Sequence, residues 1–201
     1  MKSIANEIEN KLKNGRRGRI LFASDFSSFG QPKAVNKALE RLTESGILLR
    51  LAHGIYLYPQ IDTRLGLGVL YPTVETIARE IAKRDKARIV PTGVYALNVL
   101  GLSTQIPMNV VFLTDGAARK IKIGNGQGIV FKRTVAKNLS YKNDVLMLVV
   151  AALKEIGEGN VTTEQLSKIK ELISKEKRED IMTDLQLAPA WIKKLINMSP
   201  L

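Results

Sequence analysis

The sequence predicts an α+β protein: an N-terminal winged helix-turn-helix, then a mixed α/β domain with a small sheet and C-terminal helices. Three observations predict it. Residues 1–60 read, in order, as helix, short strand, helix-turn-helix and two-stranded hairpin. From 70 to 140 helical spacing alternates with short β-branched runs, and from 141 onward only helical spacing remains. The expected domains are therefore 1–60 and 70–201.

Within the first domain, Ser3 can cap a helix whose Ile4, Ile8 and Leu12 repeat every four residues. "NGRRG" (14–18) ends that helix in a turn with a basic knot. "RILFAS" (19–24) is a short extended piece, and Ser24 is the expected N-cap of a brief helix, "DFSSF", stopped by Gly30. Pro32 then opens a longer helix, where its missing N–H would have had no intrahelical partner. Val35, Ala38, Leu39 and Leu42 form the apolar stripe of that helix, and Gly46 is placed to end it in the left-handed conformation. "ILLRL" (47–51) and "GIYLY" (54–58) form a β-hairpin around Ala52-His53-Gly54.

Residues 59–72 read as a linker. Thr73 caps a helix over 73–86, "ARIVP" is a strand, and "GVYALNVLGL" (93–102) is a short buried helix ending near Gly101. "NVVFLTDG" (109–116), "RKIKIG" (119–124) and "GIVFKR" (128–133) are strands, expected to pair mostly in sequential order, the last two as a hairpin. Helices follow over 142–157, 162–174, 179–187 and 189–196.

Composition narrows the function classes. The chain has 201 residues and no Cys, which removes disulfides, thiolate metal sites and cysteine nucleophiles. The N-terminus lacks the apolar core of a signal peptide, and no apolar run reaches the length of a spanning helix, so the expected location is cytoplasmic. Lys and Arg total 31 against 19 Asp and Glu. The excess is uneven: 11 basic and 6 acidic over 1–64, 11 and 4 over 65–140, then 9 and 9 over 141–201. A basic front and a neutral tail suit a polyanionic partner met by the first part of the molecule.

The 31–45 helix would lay its polar face in a DNA major groove, with the hairpin as a wing. Gln31 and Asn36 can contact adenine by two hydrogen bonds, and Lys33 and Lys37 can reach guanine or phosphate. Arg16, Arg17, Arg19, Arg41 and Arg50 are candidate backbone clamps. His53, the only histidine, has no sequence neighbour to make it a base and no second His or Cys to share a metal. It is either a wing-tip contact to phosphate or a plain turn residue. No catalytic, metal-binding or cofactor-binding residue is expected.

Two rival readings stand beside DNA binding. Asp115 at a strand end, with Lys120, Lys122 and Glu75, loosely echoes an Mg²⁺-dependent nuclease, although a strand-end Asp-Gly is the ordinary turn signal. The winged helix could also be a protein-interaction adaptor with a solvated basic face.

The hairpin "GILLRLAHGIYLYP", followed by "TGVYALNVLGLSTQIPMNVVFLTDG" and a basic strand hairpin, resembles the AbiEi-type antitoxins of type IV toxin–antitoxin (abortive infection) systems, in their short branch. The resemblance runs from about residue 5 to 155, and the helices beyond 157 depart from the pattern. It implies a two-part, non-enzymatic protein without cofactor. The winged helix would bind inverted repeats in its own promoter and repress the operon, with dimerisation on DNA left open. The second domain would counter a nucleotidyltransferase-like toxin, in a family where antitoxicity need not involve a stable toxin complex. Carried onto this chain, the DNA-binding positions fall on Gln31, Lys33, Asn36, Lys37, Arg41 and the wing around Arg50 and His53. Thr92, Gly93, Ala96, Leu97, Gly101, Leu102, Gln105, Pro107, Thr114 and Asp115 match the second-domain motif, without a catalytic role.

Overall fold

A computed structural model describes residues 3–124 and 126–197. The architecture is α+β, with small sheets and C-terminal helices, and the chain divides into two compact units. One comprises Met1–Glu80 with Lys122–Gly126, the other Ile81–Ile121 with Gln127–Leu201.

In the first unit, α1 (Ile4–Lys13), β1 (Arg19–Phe22), α2 (Pro32–Glu44), β2 (Leu49–Ala52) and β3 (Ile55–Tyr58) follow one another. Their order is compatible with the expected winged helix. β3 lies between β1 and β2 and is antiparallel to both. The register pairs Arg19 with Tyr58 and Phe22 with Ile55 on one side, and Arg50 with Tyr56 on the other. Both faces of β3 are covered, since all four of its residues are buried. Tyr56 and Tyr58 join Ile8, Leu12, Phe26, Val35, Leu39 and Leu42 in one core between the sheet and the helices.

The ends of these helices follow local chemistry. Ser3 Oγ accepts from the Asn6 N–H at 3.3 Å, as expected of an N-cap. Ser24 does not cap. The segment Ala23–Phe29 is a 3₁₀ helix that already includes it. Asp25 closes this turn instead, its Oδ2 accepting from the Phe22 N–H at 2.8 Å. Lys11 fastens α1 to the turn: its ammonium donates to the Asp25 carbonyl at 3.0 Å and lies 5.3 Å from the centroids of Phe26 and Phe29. Pro32 begins α2, and Gly46 follows its end with φ 74°.

Residues 59–72 are not a bare linker. β4 (Ile61–Asp62) and β5 (Gly68–Val69) pair as a small hairpin closed by the Leu70 N–H to the Gln60 carbonyl, 2.9 Å. The unit boundary falls further on, inside α3 (Val74–Arg84). Thr73 Oγ1 caps α3 as expected, accepting from the Thr76 N–H at 3.1 Å.

The second unit holds a four-stranded sheet in the order β6 (Ile89–Pro91), β7 (Asn109–Thr114), β9 (Gly128–Arg133), β8 (Arg119–Lys122). The expected sequential pairing is therefore corrected: β9 enters between β7 and β8 and runs parallel to β7. Burial explains the exchange. Ile129 and Phe131 of β9 are buried, whereas β8 alternates exposed Lys120 and Lys122 with half-buried neighbours, a pattern suited to an edge. The turn residue Asn125 of the expected hairpin lies outside the described residues.

The short helix α4 (Val94–Val99) and helices α5 (Asp144–Ile156), α6 (Thr163–Ser174), α7 (Arg178–Leu185) and α8 (Ala190–Asn197) build the larger core of this unit, with Trp191 half-buried at its margin. α5 is apolar on most of its surface and sits at the centre. Its N-terminus is tied to α7 through Asp184, whose Oδ2 accepts from the Lys142 and Asn143 N–H groups at 2.5 and 2.7 Å. Asn143 in turn caps α5 through the Leu146 N–H and donates to Glu176. Among the described residues, no helix is long and apolar enough to cross a membrane.

Candidate nucleic-acid interface

Because Val35, Ala38, Leu39 and Leu42 face the core, the remaining rows of α2 project outward. The row Lys33, Asn36, Lys37, Glu40 and Glu44 forms one wall of a cleft of about 600 Å³. The opposite wall is the β2–β3 hairpin, which contributes Arg50, His53 and Tyr56. Arg50 and Tyr56 are register partners, so they share a face of the hairpin. Gly54, at φ 69°, supplies the left-handed residue that turns the chain between β2 and β3.

Five of the ten expected contact residues thus meet in one place: Lys33, Asn36, Lys37, Arg50 and His53. Gln31, the N-cap residue of α2, and Arg41 are exposed on or beside the same helix but do not line the cleft. The arginine knot stands elsewhere. Arg19 pairs with Tyr58 at the far end of β3 from the His53 turn, on the order of 10 Å away at the rise of a strand. Arg17 is engaged there. Its guanidinium lies 4.8 Å from the Tyr58 ring centroid and donates to the Pro59 carbonyl at 3.2 Å. Arg19 donates through Nε to the Arg16 carbonyl at 3.1 Å.

His53 is not isolated, for Arg50 Nη2 approaches its Nδ1 to 3.1 Å. A guanidinium has no acceptor atom, so Nδ1 accepts and a neutral ring carries its proton on Nε2. The pair presents two donors, the rest of the guanidinium and Nε2–H, from the hairpin side. Lys37 is also paired, its ammonium 2.7 Å from Glu40 Oε2. The hydrogen bond and charge of Lys37 hold the Glu40 carboxyl below its ordinary range, and Glu40 raises Lys37 in return. Sequence reasoning missed Glu40, Glu44 and Thr43 in the cleft. The signal for Glu40 was its spacing, three residues after Lys37 and seven after Lys33 on the same row.

The residues of the nuclease echo are differently employed. Asp115 Oδ1 accepts from the Arg88 N–H at 2.8 Å and Oδ2 from the Arg88 guanidinium at 2.9 Å. These two bonds hold the Asp115 carboxyl below its ordinary range. Glu75 pairs with Arg79 at 2.7 Å. A second bridge lies nearby in the chain: desolvation pushes the Asp85 carboxyl up, but Arg84 and Arg119, both bonded to it, outweigh this and lower it. Among the described residues, no three His, Asp or Glu side chains gather closely enough to hold a metal ion.

A family model described as a family of unknown function (DUF6088) matches residues 7–181. The chain belongs to that family. The matched span takes in α2, the hairpin and the sheet of the second unit, and it ends within α7, so the DUF6088 pattern includes the whole cleft. No curated protein matches the chain. Among solved structures, the DUF6088 chain is similar to the crystal structure of the RV2827C protein from Mycobacterium tuberculosis, at 15% identity and a TM-score of 0.48. That match covers 100% of this chain and 83% of the other.

Proposed function

We propose that the protein is a cytoplasmic, DNA-binding antitoxin that also represses its own toxin–antitoxin operon, acting by binding rather than by catalysis. The α2 face and the hairpin grip the promoter duplex, and the second unit counters a nucleotidyltransferase-like toxin. The observation that carries the DNA half is the convergence of Lys33, Asn36, Lys37, Arg50 and His53 on one open cleft. An amide and two ammonium groups from a helix, faced by a guanidinium and an imidazole from a hairpin, suit a duplex that offers base edges flanked by phosphates. The net charge of +12 supports the same partner. The antitoxin half rests on the resemblance of the hairpin and of the 92–115 motif to AbiEi-type antitoxins.

Gel shift with the duplex immediately upstream of the coding sequence tests the DNA half. Binding should weaken with salt, log K falling by about 0.9 per phosphate neutralised for each tenfold rise in salt concentration. Replacing both Lys33 and Lys37 by Ala should weaken binding about tenfold or more and flatten that slope by up to ~1.8. Unchanged affinity in the double variant would remove α2 from the interface. Co-expression tests the antitoxin half: if the adjacent gene encodes a toxin, this chain should restore growth.

A further inference from the structure

We infer that Glu40 is a base-reading residue, accepting a hydrogen bond from the N4 amino group of a cytosine while Lys37 beside it donates to the paired guanine. The inference rests on the duplex-DNA reading above and names the base pair that the cleft recognises.

Glu40 lies in the middle of the cleft wall, two turns beyond Lys33 and one beyond Asn36, with its side chain 56% exposed. A carboxylate in that position is repelled by any phosphate that approaches Lys33, Lys37 or Arg50. It fits a duplex only where a base edge gives it a donor. In the major groove the donors are the N4 amino group of cytosine and the N6 amino group of adenine. A C·G pair sets the cytosine donor directly beside the O6 and N7 acceptors of guanine. The Lys37–Glu40 pair sets an ammonium donor 2.7 Å from a carboxylate acceptor, the complementary pattern. An A·T pair can also meet this couple, but guanine offers the lysine two adjacent acceptors, so C·G is the better match.

The stability of α2 does not call for this glutamate. Exposed ion pairs at three-residue spacing contribute little, and alanine is at least as good a helix former. Glu40→Ala should therefore fold, with the carboxylate alone removed. Its effect on DNA separates two jobs. Removing the repulsion raises affinity for arbitrary sequence, and removing the acceptor lowers preference for the right base pair.

The experiment measures wild type, Glu40→Ala and Glu40→Gln on the upstream duplex, on a random-sequence duplex of equal length, and on single base-pair substitutions through the footprint. All are read at one salt concentration. Glu40→Ala should lower the ratio of upstream to random affinity by about fivefold or more, with the lost discrimination confined to a single C·G position. Glu40→Gln, which keeps a carbonyl acceptor, should retain part of it. The inference is overturned if the ratio is unchanged in Glu40→Ala, if the loss is spread along the footprint, or if both variants lose equally. A wild-type protein that binds neither duplex overturns the DNA reading itself. A selective wild type with an equally selective Glu40→Ala overturns only the role of Glu40.

Discussion

Arg50 Nη2 lies 3.1 Å from His53 Nδ1 across the bend of the hairpin, and this contact joins two residues that the sequence offered separately. Its consequence is a fixed tautomer, with Nε2–H directed away from Arg50. In ¹⁵N NMR spectra of the neutral imidazole, His53 should show the Nε2–H form, and Arg50→Ala should restore a mixture of tautomers. The same variant should weaken binding to the upstream duplex about tenfold and leave the melting temperature unchanged, because Arg50 is exposed.

Phe26 is 1% exposed and is the aromatic centre of the first core, where it meets Phe29 at 6.2 Å between centroids. Its removal leaves a cavity between α1, α2 and the sheet, and deprives Lys11 of one aromatic partner. Phe26→Ala should cost ~3–5 kcal/mol of stability, read from denaturant unfolding of the full chain. A cost below ~1 kcal/mol would mean that this core collapses around the gap.

Asp184 is 3% exposed and accepts from two backbone N–H groups at the start of α5. In Asp184→Ala both donors lose their partner, the Asn143 N–H in a buried setting. The expected cost is about 2–5 kcal/mol, and hydrogen exchange at Lys142 and Asn143 should rise far more than at residues of the first unit.

Asp115 and Arg88 predict a pH dependence whose sign follows from the lowered carboxyl pKa. A carboxylate held below its ordinary 3.8 adds stability above that value, and the gain vanishes as pH falls through the folded pKa. The melting temperatures of wild type and Asp115→Ala should therefore differ at pH 7 and converge in acid, as pH falls through the lowered Asp115 pKa. A gap that persists in acid would assign the effect to packing instead. Activity tests bear on the same residue: Asp115 is committed to Arg88, so Mg²⁺ should produce no cleavage of duplex DNA.

Much of the fold was legible because the relevant signals are local. The apolar stripe of α2, Pro32 at its start and Gly46 after its end are decided within one helical turn, and the structure keeps all three. The same holds for Thr73, which caps α3. Ser24 misled because a good capping side chain says where a helix can begin, and Asp25 one residue later made the competing bond. The β4–β5 hairpin escaped notice because each of its strands is only two residues long, too short for any periodicity.

Residue types and spacing alone determined the helices, the hairpin, the polar outer face of α2 and the absence of cysteine chemistry. These depend on side-chain sequence within a few positions. Tertiary structure decided the rest: that β9 rather than β8 lies beside β7, that Arg17 is engaged with Tyr58, that Asp115 serves Arg88, and that Arg50 faces Lys37 and Glu40 across one cleft. Each of these joins residues far apart in the chain. Partners at such distances are chosen by burial and by which strand edge or charge remains unmatched, and short-range spacing carries no record of that choice.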